Sequence, residues 1–221
     1  MLKTEELFDT AHTLVKSELD DAVYPFEILP HLKEIITEIQ RKLDKNEFAE
    51  LYSGVFVARD AKMSEKATVI GPAIIGHLTE IRPGAYIRGN VIIGDGVVIG
   101  NSTEVKNSII FDGAQLPHYN YVGDSIIGYK AHMGAGCIAS NLRLDKGTVV
   151  ITDGTKRYDT GLRKIGVMLG DCAEIGCNSV LCPGCMIGKG SLVYPLTCVN
   201  GVIPELTVLK RDGTMVRRKD Q

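Results

Sequence analysis

A single histidine, His118, stands in the run Gln115-Leu116-Pro117-His118-Tyr119-Asn120-Tyr121-Val122-Gly123-Asp124, crowded by polar and aromatic residues. Imidazole, with an ordinary pKa near 6.5, takes up and returns protons around neutrality, so His118 is a candidate general base. Position alone leaves that role and an ordinary loop histidine equally open. Two cations come next. Lys106 follows Arg88 by eighteen residues, whereas Arg82, in Ile81-Arg82-Pro83-Gly84-Ala85, precedes Lys106 by twenty-four. Cysteines offer a third chemistry. Cys172, Cys177, Cys182 and Cys185 look in linear order like a zinc set, but a tetrahedral site needs ligands that converge.

Whether these residues meet depends on the elements beneath them, and the strongest signal is a period of six. Stepping by six from Val57 gives Met63, Val69, Ile75, Ile81, Ile87, Ile93, Ile99, Val105 and Phe111, all apolar. Four residues after each comes a smaller set, including Ala61, Ala67, Ala73, Thr79, Ala85, Val91, Val97 and Thr103, then Ile109 and Gln115. Amphipathic helices repeat near 3.6 residues and ordinary strands near 2, so neither fits. A triangular coil does, with a short strand on each side, a tight turn at each corner and eighteen residues per turn. Stacked coils then pair as parallel strands about 4.8 Å apart. The phase breaks at residues 117–120 and resumes at Tyr121, Ile127 and Met133, with Ser125, Ala131 and Cys137 as small partners. A second break covers about 141–164. The repeat returns at Leu169, Ile175, Leu181, Ile187, Val193 and Val199, for about six coils in all.

The period decides between the chemical candidates. Arg88 lies one coil below Lys106, about 5 Å away at the backbone, while Arg82 falls on another face. Like charges that close repel unless an anion bridges them, which favours Arg88 over Arg82 as an anion ligand. Solvated side chains splayed apart are the plain alternative. The cysteines drift against the period and occupy four different repeat positions, so no metal is expected. His77, His118 and His132 likewise lack the closely spaced pair of a three-histidine metal site.

The rest of the chain sets bounds. Residues 1–50 show two apolar helical faces, Leu7, Phe8, Ala11, Leu14 and Val15, then Ile28, Leu32, Ile35, Ile36, Ile39 and Leu43, with Pro30 near a helix start. They read as a helical cap over the open end of the solenoid, or as a dimerisation or partner-docking arm. Residues 51–207 form the solenoid and 208–221 a solvated tail. A net charge of -2 gives no reason to expect nucleic acid or a membrane as partner. The start lacks the apolar core of a signal peptide, and six cysteines without secretory context read as free thiols in a reducing cytoplasm.

The segments IRPGA, NSTEVKNS, PHYNYVGDSIIG and GAGCIASN, in residues 81–141, resemble the acetyltransferase half of the bifunctional N-acetylglucosamine-1-phosphate uridyltransferase/glucosamine-1-phosphate acetyltransferases. ASNLRLD, GLRKIG and LGDCAEIG bring the chain still closer to sugar-1-phosphate nucleotidylyltransferase-like relatives. The likeness covers roughly residues 65–205, and the glycine-rich segment of a nucleotidyltransferase half is absent. The resemblance implies an all-β fold, a single-stranded left-handed parallel β-helix that assembles as a homotrimer. It further implies acetyl-CoA as co-substrate and an amino-sugar 1-phosphate as acceptor. His118 would be the base. Arg88, Lys106, Tyr121 and Asn141, with Arg82 as the local-motif alternative to Arg88, would bind the sugar phosphate. Ala135, Cys177 and Lys164 would bind the cofactor, the Ala135 N–H serving the thioester oxygen. Two positions depart from the family pattern: His132 replaces an asparagine and Leu142 a tyrosine. They favour a different reading, a non-catalytic β-helix for oligomerisation or sugar-phosphate sensing beside a separate nucleotidyltransferase.

Overall fold

The computed structural model describes residues 1–219, and residues 220 and 221 of the expected tail lie outside them. Short strands wind into a left-handed parallel β-helix with three faces. The first face holds nine strands, the second seven and the third nine. The outermost strands of the first and third, Phe48–Tyr52 and Met215–Arg217, run antiparallel to their neighbours. The parallel stack therefore has eight rungs on two faces and seven on the other, a longer solenoid than the six coils expected.

Two short coils account for the shifted phase. Up to Val105 the rungs advance by eighteen, as Val69 pairs Ile87 and Ile87 pairs Val105. Above them Ile93 pairs Ile110, Val105 pairs Val122 and Ile110 pairs Ile127, each seventeen apart. One residue is missing at the corner between the second and first faces, once near Asn107 and once near Asp124. The inward residues are thus Ile110 and Val122, where Phe111 and Tyr121 were expected. The small positions on either side of Ile110 are Ser108 and Ala114, both buried, where Ile109 and Gln115 were expected.

Inside the prism, Ile75, Ile81, Ile87, Ile93, Ile99, Val105, Ile110, Leu116, Val122, Ile127 and Met133 form one continuous core. Each buried aliphatic side chain stabilises the fold by roughly 1.5–3 kcal/mol relative to exposure. A second core lies outside the first face. The residues preceding the inward ones there, Ile74, Ile92, Ile109, Ile126, Met168 and Met186, are themselves apolar and buried. The N-terminal segment covers them. Leu7, Phe8, Val15, Leu19, Phe26, Leu29, Leu32 and Ile36 pack on this stripe, and the helix Leu32–Lys42 crosses the strands Ala73–Ile75 and Val91–Ile93. The helices therefore clad a flank of the solenoid and do not cap its open end. Covering this stripe takes its apolar side chains out of water. Leu14, expected on the buried face, is exposed because the first helical stretch breaks into Thr4–Leu7, the turn Thr10–His12 and Lys16–Asp21.

The expected tail also carries structure: Thr207–Leu209 continues the third face and Met215–Arg217 folds back on it. The second break, 141–164, leaves and re-enters at the corner joining the second face to the first. It carries a hairpin, Val150–Thr152 with Arg157–Asp159, anchored by buried Val149 and Ile151. No helix among the described residues is long and apolar enough to cross a membrane.

Candidate functional site

The first break leaves the helical path by very little. Gln115–His118 is a strand of the third face, and Tyr121–Gly123 opens the second. Between them Tyr119 takes a left-handed conformation, φ 53°, so the corner turns within two residues. Asn120 holds that turn from inside and is only 2% exposed. Its Nδ2 donates to the Gly134 carbonyl at 2.8 Å, and its Oδ1 accepts from the His118 N–H at 3.3 Å. Below it, Gly100 passes so close that a Cβ there would lie 1.5 Å from the Pro117 oxygen. His118 is exposed at the outer edge of this corner. Among the described residues its imidazole makes no hydrogen bond within the chain, which leaves both ring nitrogens for a ligand.

Ala135 lies one coil above His118, in the turn whose Gly136 N–H donates to the His118 carbonyl at 3.1 Å. The Ala135 carbonyl accepts from the Asn178 N–H at 2.8 Å, whereas its own N–H has no acceptor among the described residues. Cys177 is one coil further up the same corner, because the insertion between them leaves the stack and returns to it. Its thiol is exposed. His118, Ala135 and Cys177 therefore form a column along one edge of the second face.

The opposite edge of that face carries a denser cluster. Asp124 is 5% exposed and sits at φ 49°, where the chain turns onto the first face. Its carboxylate accepts from Lys106 Nζ at 3.2 Å, from Asn107 Nδ2 at 2.8 Å and from Asn141 Nδ2. The Asn141 amide also donates to the Tyr121 hydroxyl at 3.2 Å. Gly123 underlies that contact, and a Cβ there would come 2.6 Å from Tyr121 Oη. Burial, followed by the nearby charges of Asp124 and Glu104, raises the Tyr121 pKa above its ordinary value. Lys106 and Asn141, separate candidates in the sequence, are thus joined through one carboxylate, and Tyr121 joins them through the Asn141 amide. Asp124 stands in the sequence as the last residue of the PHYNYVGD run, but nothing there assigns it a role, since an aspartate at a turn reads as a solvated residue.

Arg88 lies one rung below Lys106, as the period required: the Arg88 N–H donates to the Val105 carbonyl at 2.8 Å. Its guanidinium pairs with Glu104 at 2.7 Å and lies over the Tyr86 ring. Arg82 is on the third face, ion-paired to Glu80 at 3.1 Å and apart from the cluster. His132 is on that face too, 2.8 Å from Glu174. Lys164 stands apart from the other two expected cofactor residues. It pairs across the base of the insertion with Leu142, on the Asp124 edge. There it lines a cleft of about 510 Å³ with Leu29, Pro30, Asn107, Asp124, Leu142, Leu162 and Arg163. The N-terminal segment supplies one wall of that cleft and the insertion another, which the sequence does not indicate.

No group of three or more metal-ligating side chains occurs among the described residues. Cys185 points into the core, where burial pushes its thiol far up. Cys182 lies 3.6 Å from Cys198, and its pKa is raised to about 11, chiefly by burial.

Comparison with known proteins matches residues 69–157 to a family model described as the GMPPB C-terminal domain. The "Bifunctional protein GlmU" of Methanococcus maripaludis is 33% identical over 205 residues, covering 90% of this chain and 49% of that protein. A bifunctional sugar-1-phosphate nucleotidylyltransferase/acetyltransferase of Sulfurisphaera tokodaii is 38% identical, covering 66% of this chain and 36% of its own. Among solved structures, the acetyltransferase domain of PglB from Neisseria gonorrhoeae, in complex with acetyl coenzyme A, aligns at 14% identity and TM-score 0.39. The alignment spans 72% of this chain and 55% of that one. The chain spans half or less of the length of these two curated relatives. The resemblance to bifunctional nucleotidylyltransferase/acetyltransferases therefore stands for the β-helix and the residues around it.

Proposed function

We propose that this protein transfers an acetyl group from acetyl-CoA to the amine of an amino-sugar 1-phosphate. The observation that carries the reading is the pairing of two arrangements across one face. One is the Lys106, Tyr121, Asp124 and Asn141 cluster, with Arg88 one rung below. The other is His118 with the Ala135 N–H, which has no acceptor among the described residues.

Each residue has a chemical task. An amino sugar is largely protonated at neutral pH, so a base must take a proton as the C–N bond forms, and His118 is exposed for that purpose. The amine nitrogen attacks the thioester carbonyl carbon, the C–S bond breaks, and the proton held by His118 returns to the departing thiolate. As the carbonyl oxygen gains charge, the Ala135 N–H donates to it. Arg88 and Lys106 meet the phosphate; in this chain Glu104 and Asp124 already pair with them, so their stacking does not by itself call for a bound anion and their role rests on the family resemblance. Tyr121 and Asn141 orient the sugar ring, and Cys177 contacts the cofactor further up the column. Lys164 lies across the face from that column and is better placed to reach the sugar phosphate through the Asp124 cleft. In a homotrimer, a neighbouring solenoid would close the groove over the second face.

The test is release of free thiol from acetyl-CoA with glucosamine 1-phosphate or galactosamine 1-phosphate. Turnover with either supports the proposal. A folded protein that turns over no amino-sugar phosphate would sink it and leave the β-helix as a binding or oligomerisation module. His132 favours that second reading, since its ring faces away from the cluster and is tied to Glu174.

A further inference from the structure

We infer that Asp124 is a positioning residue that fixes Lys106 and Asn141 in their binding geometry; this rests on the function proposed above. The carboxylate is almost wholly buried, yet its partners are a lysine and two amides, with no arginine in a two-pronged grip. A buried charge with so modest a set of partners is costly unless each one is kept. Those partners come from separate rungs. Lys106 and Asn107 belong to the coil below, and Asn141 to the coil above at the mouth of the insertion. One side chain therefore ties three successive coils together at the corner where the chain twice drops a residue.

The local backbone is shaped for this. Asp124 adopts a left-handed conformation at φ 49°, which turns its side chain back over the second face. Gly123 leaves the space in which Tyr121 Oη and Asn141 Nδ2 meet. Asn107, also left-handed at φ 45°, donates to Asp124 and accepts from Asn90 at 3.4 Å, extending the network one coil further down. The Asp124 backbone contributes as well: its carbonyl accepts from the Gly166 N–H at 2.7 Å, where the insertion rejoins the solenoid. The carboxylate needs only donors around it, and it has only donors. An asparagine at 124 keeps one acceptor oxygen, which Asn107 would hold, and puts its amide N–H where Oδ2 stood, so Lys106 and Asn141, which share Oδ2, would lose that common acceptor while volume is unchanged.

The experiment compares Asp124→Asn with Lys106→Met and the double variant, in the whole 221-residue chain. Crystal structures without ligand come first. In Asp124→Asn, Lys106 and Asn141 should leave their places around residue 124 while the coils keep their register. Both side chains remaining in place would overturn the inference, whatever the protein catalyses. In the thiol-release assay, Asp124→Asn should raise KM for the amino-sugar phosphate ~10-fold or more and leave KM for acetyl-CoA within about two-fold. Effects of Asp124→Asn and Lys106→Met should be less than multiplicative, because the first acts partly through the second. A multiplicative double variant, or equal changes in both KM values, would show a merely structural carboxylate. Wild-type protein without activity would count against the proposed function, and the crystallographic comparison would still decide the role of Asp124.

Discussion

At the residue scale, the site divides between a group that stands free and groups that are tied down. His118 has backbone contacts but no side-chain partner for its ring among the described residues, so removing that ring leaves no buried group unpaired. His118→Ala should lower thiol release by roughly 10²–10⁴-fold, the usual worth of a general base. The variant's melting temperature should stay close to that of the wild type, and a fall of many degrees in calorimetry would mark His118 as structural. Tyr121 behaves in the opposite way. Its pKa is raised, chiefly by burial, so the folded state favours the neutral phenol. The stability this contributes is complete below the ordinary tyrosine value of about 10 and is lost as pH rises through the higher folded value. The Tyr121 ring carbon in NMR should therefore titrate above a model tyrosine, and Asp124→Asn should bring it down. A Tyr121 that titrates at the ordinary value would contradict that burial.

At the element scale, corners decide what strands can display. The turn carrying His118 exists because Gly100 lets Pro117 pass directly over it and Asn120 fastens its interior. Gly100→Ala should push that corner outward, costing about 1–3 kcal/mol as an overpacked site does. Activity should fall with it even where the protein remains folded, read by denaturant titration beside the thiol assay. These corners also explain what is legible in the sequence and what is not. A step of six lands on apolar residues whether or not a residue is dropped, because Ile109, Ile110 and Phe111 are all apolar. The slip is therefore silent where it occurs and shows only later, as the break at 117–120, and the period puts Phe111 inside the prism although it packs under Phe8 outside it. The cladding of the first face does leave a signal. Ile74, Ile92, Ile109 and Ile126 precede inward residues at one-coil intervals, whereas the same positions on the second face read Thr68, Tyr86, Glu104 and Tyr121. A doubled apolar stripe on one face of three is the mark of a covered flank. Ile92→Asp would place an unpaired charge beneath the helix Leu32–Lys42, and should cost several kcal/mol and expose that helix to hydrogen exchange. Unchanged protection of residues 32–42 would show that the helix is held by other means.

At the scale of the whole molecule, a stack of parallel rungs ends in unpaired strand edges, and the period that builds the stack says nothing about how it stops. That is why the chain beyond residue 207 reads as a solvated tail. In the structure it supplies one more rung, Thr207–Leu209, and then reverses, so Met215–Arg217 lies antiparallel along the third face. The reversal changes the chemistry of the edge. In place of the buried, apolar Leu209, the outermost strand shows exposed side chains and leads into Arg217, Arg218 and Lys219. Arg218 reaches back to the Gly190 carbonyl at 2.8 Å and pins the hairpin to the coil beneath. Short, antiparallel and ending in Arg217, with Arg218 and Lys219 beyond it, this strand is a poorer template for another chain than a bare parallel rung, although Met215 and Val216 remain exposed on it. Truncation after Lys210 should therefore leave the solenoid folded by circular dichroism and convert the single species expected of the whole chain into a broad range of larger ones by light scattering. Replacing both arginines, Arg217→Lys with Arg218→Lys, should keep the edge blunted by charge while weakening the pin to Gly190. If the truncated protein ran at the same mass and melted at the same temperature as the full chain, the terminal hairpin would be ornament on an end already closed by other contacts.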